Sequence, residues 1–294
     1  MSKLKAIDPK AAEPSKPKVL LFGAAGVGKT WSSLDFPNVY YMDSEGGATR
    51  DHYTSKLKKA GGVYFGPEQG AQSFDTVIEQ MQALATENHK YKTVVIDSIS
   101  KIYNTEIAKE QERLGEKDAF GASKKVATLL TRQLISWIDR IDMNVVLIAH
   151  EKPLWEKGEQ TGSTFDAWEK LSYELDLTLQ IIKMGDSRKA RIKKSRLLGF
   201  PDGNVFDWSY ESFAEKYGKE VIEKKSTQLI LATEAQLKEL AGLLEVVKLP
   251  DGTQNKWLTA ANVTRFEDME TAQLDKILAA LHKTLNKTQP GKAA

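Results

Sequence analysis

Eight residues, Gly23-Ala24-Ala25-Gly26-Val27-Gly28-Lys29-Thr30, put glycine at the first and sixth positions of a short loop that ends in lysine and threonine. This G-x-x-x-x-G-K-[ST] pattern suits a chain of phosphates. Glycines let the backbone wrap with its N–H groups pointing inward, and a following helix adds the positive end of its dipole. Lys29 then reaches the terminal phosphates, and the Thr30 hydroxyl ligates Mg²⁺. The loop follows an apolar run, KVLLF (18–22), and precedes a segment read as helix. That strand-loop-helix context is what the chemistry requires.

Hydrated Mg²⁺ also needs a carboxylate at the end of a neighbouring strand. TVVID (93–97) supplies Asp97, and the next residue is Ser98. Many ATPases of the AAA+ and transporter types place a glutamate base there, so in this chain the base must come from elsewhere. Glu45, in MDSEGG directly after a second apolar run, is the candidate. Strand ends of an open parallel sheet converge on one edge, where a carboxylate can orient an attacking water. His150 closes NVVLIAH and is placed to contact the γ-phosphate; HEKPL lacks the second histidine of a zinc motif. The tetrapeptide D-S-E-G formally matches a GTPase D-x-x-G, but no N-K-x-D guanine-reading motif occurs. ATP with Mg²⁺ is therefore the expected ligand.

The elements that must hold these groups are legible as alternating patterns. NVYYMD (38–43), GVYFG (62–66), TVVID (93–97) and NVVLIAH (144–150) join KVLLF as strand candidates. Phe74, Val77, Ile78, Met81 and Leu84 recur at helical spacing, as do Val126, Leu129, Leu130, Leu134, Trp137 and Ile138. Strands alternating with helices predict an α/β fold with a central, mostly parallel sheet flanked by helices. Residues 151–171 read as a polar loop with two tryptophans. Two antiparallel strands, 175–183 and 188–198, follow around the turn MGDS, and 211–230 is charged and ambiguous. Thr233-Glu-Ala-Gln236 has the form of a capping box opening a helix, Pro250-Asp-Gly252 reads as a turn, and Leu274, Ile277, Leu278, Leu281 and Leu285 mark a last helix. The expected domains are a flexible arm (1–17), an ATPase core (18–225) and a small C-terminal helical module (226–294).

Composition bounds the rest. Apolar residues make up 41% of the 294, enough for a real core. With 42 basic and 40 acidic residues the net charge is +2, so any nucleic-acid contact must come from local clusters. The absence of cysteine excludes disulfides, thiolate zinc sites and cysteine nucleophiles. No stretch approaches the ~18 apolar residues of a membrane span, and MSKLKAIDPK lacks a signal-peptide core. A cytoplasmic protein with no membrane partner is expected.

Taken together, GAAGVGKT, MDSE after the second strand, VVIDS with serine after the aspartate, and a polar residue ending VVLIAH resemble the RecA family core across residues 18–150. KDAFGASKKVATLLTRQL and RIKKSRLLGF extend the likeness, and the chain looks most like the short phage RecA-like ATPases that anneal single strands (Sak type). The resemblance implies that Glu45 activates water and that His150 stands where RecA has a glutamine sensor. It implies that Lys194 and Arg196 reach ATP bound by a neighbouring subunit, and that loops near 113–121 and 151–170 face DNA. Arg113, Lys117, Phe120, Lys152, Trp155 and Lys157 are the candidate contacts there, cations with aromatics being suited to single strands.

The implied function is an ATPase that binds single-stranded DNA and promotes annealing or strand pairing in homologous recombination, in the host cytoplasm if phage-encoded. A homo-oligomer, filament or ring, is the implied assembly, with the C-terminal module a candidate dock for a single-strand-binding protein. The chain departs from RecA in its short N-terminal arm and its histidine sensor. A helicase-type motor of the same core and a non-catalytic ATP-switched assembly factor remain alternatives.

Overall fold

The computed structural model describes residues 14–118 and 121–288. The first element of the described residues is β1 (Lys18–Gly23), whose four consecutive apolar residues are all buried, as befits a strand apolar on both faces. The glycine loop leads into a short helix, α1 (Lys29–Ser33), then β2 (Val39–Asp43), α2 (Asp51–Lys59) and β3 (Val63–Phe65). Next come α3 (Phe74–Thr86), β4 (Thr93–Asp97), α4 (Ile99–Leu114) and α5 (Ala122–Arg140). A long strand, β5 (Asn144–Glu156), turns into β6 (Glu159–Phe165), followed by α6 (Leu171–Glu174). The hairpin β7 (Leu177–Met184) and β8 (Ser187–Ser195) precedes β9 (Val205–Asp207), α7 (Tyr210–Tyr217) and α8 (Lys219–Glu223). Three helices finish the described chain: α9 (Glu234–Val246), α10 (Thr253–Ala260) and α11 (Thr271–Thr288).

The residues fall into two compact units. One carries the whole sheet and comprises residues up to Phe65, Tyr91–Ser100 and Asp142–Ser226; the other comprises Gly66–Lys90, Lys101–Ile141 and the residues from Thr227 on. The fold is α/β, with a nine-stranded sheet in the order β3-β2-β4-β5-β1-β7-β8-β9, and β6 paired to β5 off this path. Strands β3, β2, β4, β5, β1 and β7 run parallel, while β8, β9 and β6 are antiparallel. Five strand ends, Gly23, Asp43, Asp97, His150 and the end of β7, therefore lie along one edge. Within this unit a core of Leu21, Leu34, Phe36, Tyr41, Val95, Ile148, Leu179 and Phe213 joins the sheet to α1 and α7. The chain enters the sheet under restraint: the Pro17 carbonyl accepts from Val145 N at 2.9 Å, and Tyr217 donates to the Ser15 carbonyl at 2.7 Å.

In the helical unit, α3 packs on α5 and α9 on α11. The expected α3 stripe is buried throughout. In α5 the buried stripe is Ala127, Thr131, Leu134, Ile135 and Ile138, and Leu129 is 54% exposed, contrary to the sequence reading. Spacing alone allows neighbouring stripes on one helix; small residues at 127 and 131 let the actual face approach closely. The Thr233 capping box forms as expected, with Gln236 N donating to Thr233 Oγ1 and Thr233 N to Gln236 Oε1. Helix α10 was not anticipated. It follows the Pro250-Asp-Gly252 turn and contributes Trp257 and Leu258 to a core built on Leu240, Leu274, Leu278 and Leu281.

The expected polar loop over 151–171 is corrected by the structure. Strand β5 runs six residues beyond His150, and β6 returns along it around Lys157-Gly158. Both turn residues have positive φ, 52° and 86°, the requirement of a two-residue type I′ turn that glycine meets without strain. High polarity on both faces hid this hairpin, because a strand exposed on both sides shows no apolar alternation.

Leu274 is fully buried in the C-terminal core. Leu274→Ala should lower the stability of the helical unit by about 2–5 kcal/mol, measured by chemical denaturation with a probe in this unit.

Candidate functional site

The glycine loop is shaped by close approach. Gly23 has φ 153°, and a Cβ there would lie 2.3 Å from the Ile181 carbonyl oxygen of the adjoining strand. Lys29 Nζ folds back to donate to the carbonyls of Gly23 (2.7 Å) and Ala24 (2.9 Å), so its charge sits over the mouth of the loop. Burial pushes the Lys29 ammonium below its usual pKa, against the raising effect of Asp97, Glu151 and Glu45. Gly26 faces open space. Of the other expected loop residues, Ala24 lines an open cleft, and the Val27 carbonyl accepts from Arg188 Nε at 2.9 Å.

Asp97 ends β4 and is buried. Its Oδ2 accepts from Thr30 Oγ1 at 2.5 Å and from the Tyr41 hydroxyl at 2.9 Å. Burial pushes its carboxyl up to about 6, the Thr30 and Tyr41 hydrogen bonds pulling it back, with Glu45 and Asp43 adding smaller upward pressure. Loss of solvation on burial is the expected source of such a shift. Asp97 and Thr30 thus bring two hard oxygen donors together, the donor type Mg²⁺ prefers, and the residues fit that ion.

Glu45 and His150 also meet. His150 Nε2 lies 2.5 Å from Glu45 Oε1, and Ser98 Oγ donates to the same oxygen at 2.6 Å. An ionised carboxylate only accepts, so His150 carries its proton on Nε2 in this contact. Behind them a scaffold of side chains sets the backbone. Asp43 Oδ1 accepts from Glu45 N and Gly46 N, and its Oδ2 accepts from Ala48 N and the Tyr64 hydroxyl. This Asx-type turn fixes how Glu45 leaves β2. Ser44 N donates to the Asp97 carbonyl at 2.7 Å, Ser98 N donates to Ser44 Oγ at 2.8 Å, and His150 N donates to Ser100 Oγ at 2.8 Å.

The structure therefore gathers Gly23 to Thr30, Glu45, Asp97 and His150 at one edge. It does not bring Lys194 and Arg196 to this chain's own loop. Lys194 pairs with Thr178, which lies opposite Leu20 near the start of β1, and the two side chains donate to the carbonyls of Leu175 and Tyr173. The cation that does reach the loop is Arg188, six residues earlier on β8. It lines a pocket of about 340 Å³ with Gly26, Gly28, Lys29, Thr30, Trp31 and Tyr53. Antiparallel β8 starts at the loop edge and ends at the far edge, so only its first residues can serve the site. Sequence reading missed Arg188 for want of this register. It also missed Ser44 and Tyr41 and gave Ser98 no partner, although the D-S-E-G run carried an Asx-turn signal for Asp43.

The described candidate DNA contacts belong to both units. Arg113 makes a two-nitrogen ion pair with Glu110, the closest contact 2.6 Å, and Lys117 lies on a short 3₁₀ turn. Lys152 pairs with Asp166 at 3.4 Å, Trp155 is 60% exposed on β5, and Lys157 is at the hairpin turn. Phe120 lies outside the described residues.

Two outcomes follow from this geometry. Gly23→Ala should weaken nucleotide binding by roughly ten-fold or more, because a backbone carbonyl cannot yield as a side chain can; titration with a fluorescent ATP analogue reads this directly. Asp97 must be ionised to hold a cation, so Mg²⁺-nucleotide affinity should rise as pH climbs through about 6 and level off above it. Its effect on folding has the opposite sign. The folded protein holds this proton more tightly than the unfolded chain, whose value is 3.8, so the stabilisation is full below that value and lost as pH rises through about 6. Calorimetric titration and thermal melts over pH 4–8 check both, and Asp97→Asn should flatten both profiles.

Among the described residues no helix is long and apolar enough to cross a membrane. No curated protein sequence matches the chain. Among solved structures it is remotely similar to the RadB recombinase, at 21% identity, covering 66% of this chain and 88% of that one with a TM-score of 0.44. It is similar also to an ATPase of the type III secretion system of pathogenic bacteria, at 12% identity, covering 92% and 81% with a TM-score of 0.38. The AAA domain family matches residues 15–204, the stretch that contains the glycine loop, Glu45, Asp97 and His150. With nearly two thirds of its length inside that match, this chain belongs to the AAA domain family of P-loop proteins.

Proposed function

We propose that this protein is a Mg²⁺-dependent ATPase that binds single-stranded DNA and promotes annealing or strand pairing in phage-type recombination. The observation that carries the reading is the separate carboxylate: Glu45 stands on β2, not beside Asp97 on β4, and is held by Ser98 and His150. This division of labour is the one the RecA-like resemblance implies. Thr30 and Asp97 would hold Mg²⁺, which would supply Lewis-acid polarisation of phosphate oxygens.

The protein's own groups account for the remaining chemistry. Lys29 leaves the Gly23 and Ala24 carbonyls to neutralise charge on the terminal phosphates. Ser98 and His150 both occupy Oε1 of Glu45, which leaves Oε2 to take a proton from water. Loss of the γ-phosphate is felt at His150, and β5 carries that change into the hairpin bearing Lys152, Trp155 and Lys157. Single-stranded DNA is held by this hairpin, and Arg113, Lys117 and Phe120 are proposed as DNA contacts as well. The active assembly is a ring or filament in which Lys194 and Arg196 release their backbone carbonyls to meet a neighbour's ATP. The C-terminal module serves as the dock for a single-strand-binding protein, and the protein works in the cytoplasm.

Glu45→Gln should retain ATP binding and reduce turnover by two or more orders of magnitude; unchanged turnover would remove Glu45 from the mechanism. Single-stranded DNA should raise wild-type ATP turnover several-fold, and a phosphate-release assay that shows no rise at any salt concentration tells against DNA coupling.

A further inference from the structure

The β7–β8 hairpin and the residue after it carry seven cations, and most are already engaged. Arg188 donates to the Val27 carbonyl, Lys189 pairs with Asp207 at 2.5 Å, and Lys194 and Arg196 donate to the carbonyls of Leu175 and Tyr173. Lys183, Arg191 and Lys193 have no carboxylate partner among the described residues. Of these, Arg191 and Lys193 are exposed and line a cleft of about 650 Å³ between this hairpin and the β5–β6 hairpin.

Register explains why they share it. Arg191 lies opposite Gln180 on β7, while Ala190 and Ile192 turn into the core on the other face. Opposite them the cleft wall is Glu151, Lys152 and Pro153 of β5 with Gln160 to Ser163 of β6, and Ala24 of the glycine loop reaches its end. The one carboxylate in this lining keeps its charge but is tied into the wall and outnumbered by Lys152, Arg191 and Lys193. Glu151 Oε1 accepts from Ser163 Oγ and from Gln180 Nε2, which lies 2.8 Å away. What remains is a polar, net-cationic channel with side-chain amides in its floor and walls. Trp155 lies just beyond Pro153 on the same strand, 60% exposed.

We propose that this cleft is the track for the phosphodiester backbone of single-stranded DNA, with Arg191 and Lys193 as its principal phosphate contacts. The proposal rests on the single-stranded-DNA reading above and relocates the main contact from loop tips to a cleft wall. Unpaired cations set for phosphates and a flanking exposed tryptophan are the combination that single strands require. The volume suits about one or two nucleotides. Glu151 follows His150 directly, so cleft and catalytic carboxylate contact consecutive residues of one strand.

The test uses the full chain with a labelled oligo(dT), read by fluorescence anisotropy across a salt series with a non-hydrolysable ATP analogue. R191Q/K193Q should weaken binding by roughly ten-fold or more and reduce the salt-dependence slope by about 1.4, two phosphate contacts at ~0.7 each for single strands. K183Q, the remaining unpaired cation of the hairpin but outside the cleft, should stay within about two-fold of wild type. Both changes are at exposed positions, and matching thermal melts exclude misfolding. Wild-type binding with an unaltered affinity and slope in R191Q/K193Q overturns the cleft and leaves the DNA reading standing. Absence of wild-type binding at low salt overturns both. Competitive displacement of oligo(dT) by the ATP analogue, or equal affinity for duplex, also overturns the cleft as a single-strand track.

Discussion

One buried carboxylate organises the nucleotide edge of this molecule. Asp97 ends the most thoroughly buried strand of the sheet, and its Oδ2 ties two other elements to that strand. Thr30 reaches it from the first turn of α1, and Tyr41 from the middle of β2. Its backbone takes part as well, since the Asp97 carbonyl accepts from Ser44 and Ser98 is clasped by the Ser44 hydroxyl. An ionised group so desolvated is costly, and its raised pKa expresses that cost. The site is thus built around one buried carboxylate on which Thr30 and Tyr41 converge.

From that constraint the position of Glu45 follows. Ser44 is pinned to β4, and Asp43 spends both carboxylate oxygens on the backbone of the turn and on Tyr64, so the chain leaves β2 along one path. Glu45 comes off that path toward Ser98 and His150. The polar contacts on one side are matched by packing on the other: Leu34 and Phe36 after α1 join Tyr41 and Phe213 in one core, and Trp208 donates to Ser32 at 2.7 Å. A five-residue helix has little stability of its own, so α1 is held by these neighbours rather than by propensity.

Strand β5 links this edge to everything beyond it. Up to His150 it is a central parallel strand buried between β1 and β4; after it, the same strand becomes half of an exposed hairpin. Successive side chains alternate in direction, so His150 turns to Glu45 while Glu151 turns to Ser163 and Gln180. A change at the carboxylate therefore has a short mechanical route to the hairpin, without any intervening loop.

The sequence by itself determined the glycine loop, the strand that ends in Asp97 and most of the parallel sheet, because those features are local. A buried parallel strand is continuously apolar, a phosphate loop must be glycine-rich, and a capping box such as Thr233 to Gln236 lies within four residues. It also named Glu45 and His150, since residues ending neighbouring parallel strands must share an edge. Tertiary structure alone decided the rest. Whether Lys194, Arg196 or Arg188 reaches the loop depends on the β7–β8 register, which no single segment encodes. The exposed β5–β6 hairpin has no buried face to leave a hydrophobic pattern, so only its pairing defines it. The partners of Ser44, Ser98 and Tyr41 are likewise distant in sequence, and hydroxyl groups announce a partner only when the fold supplies one.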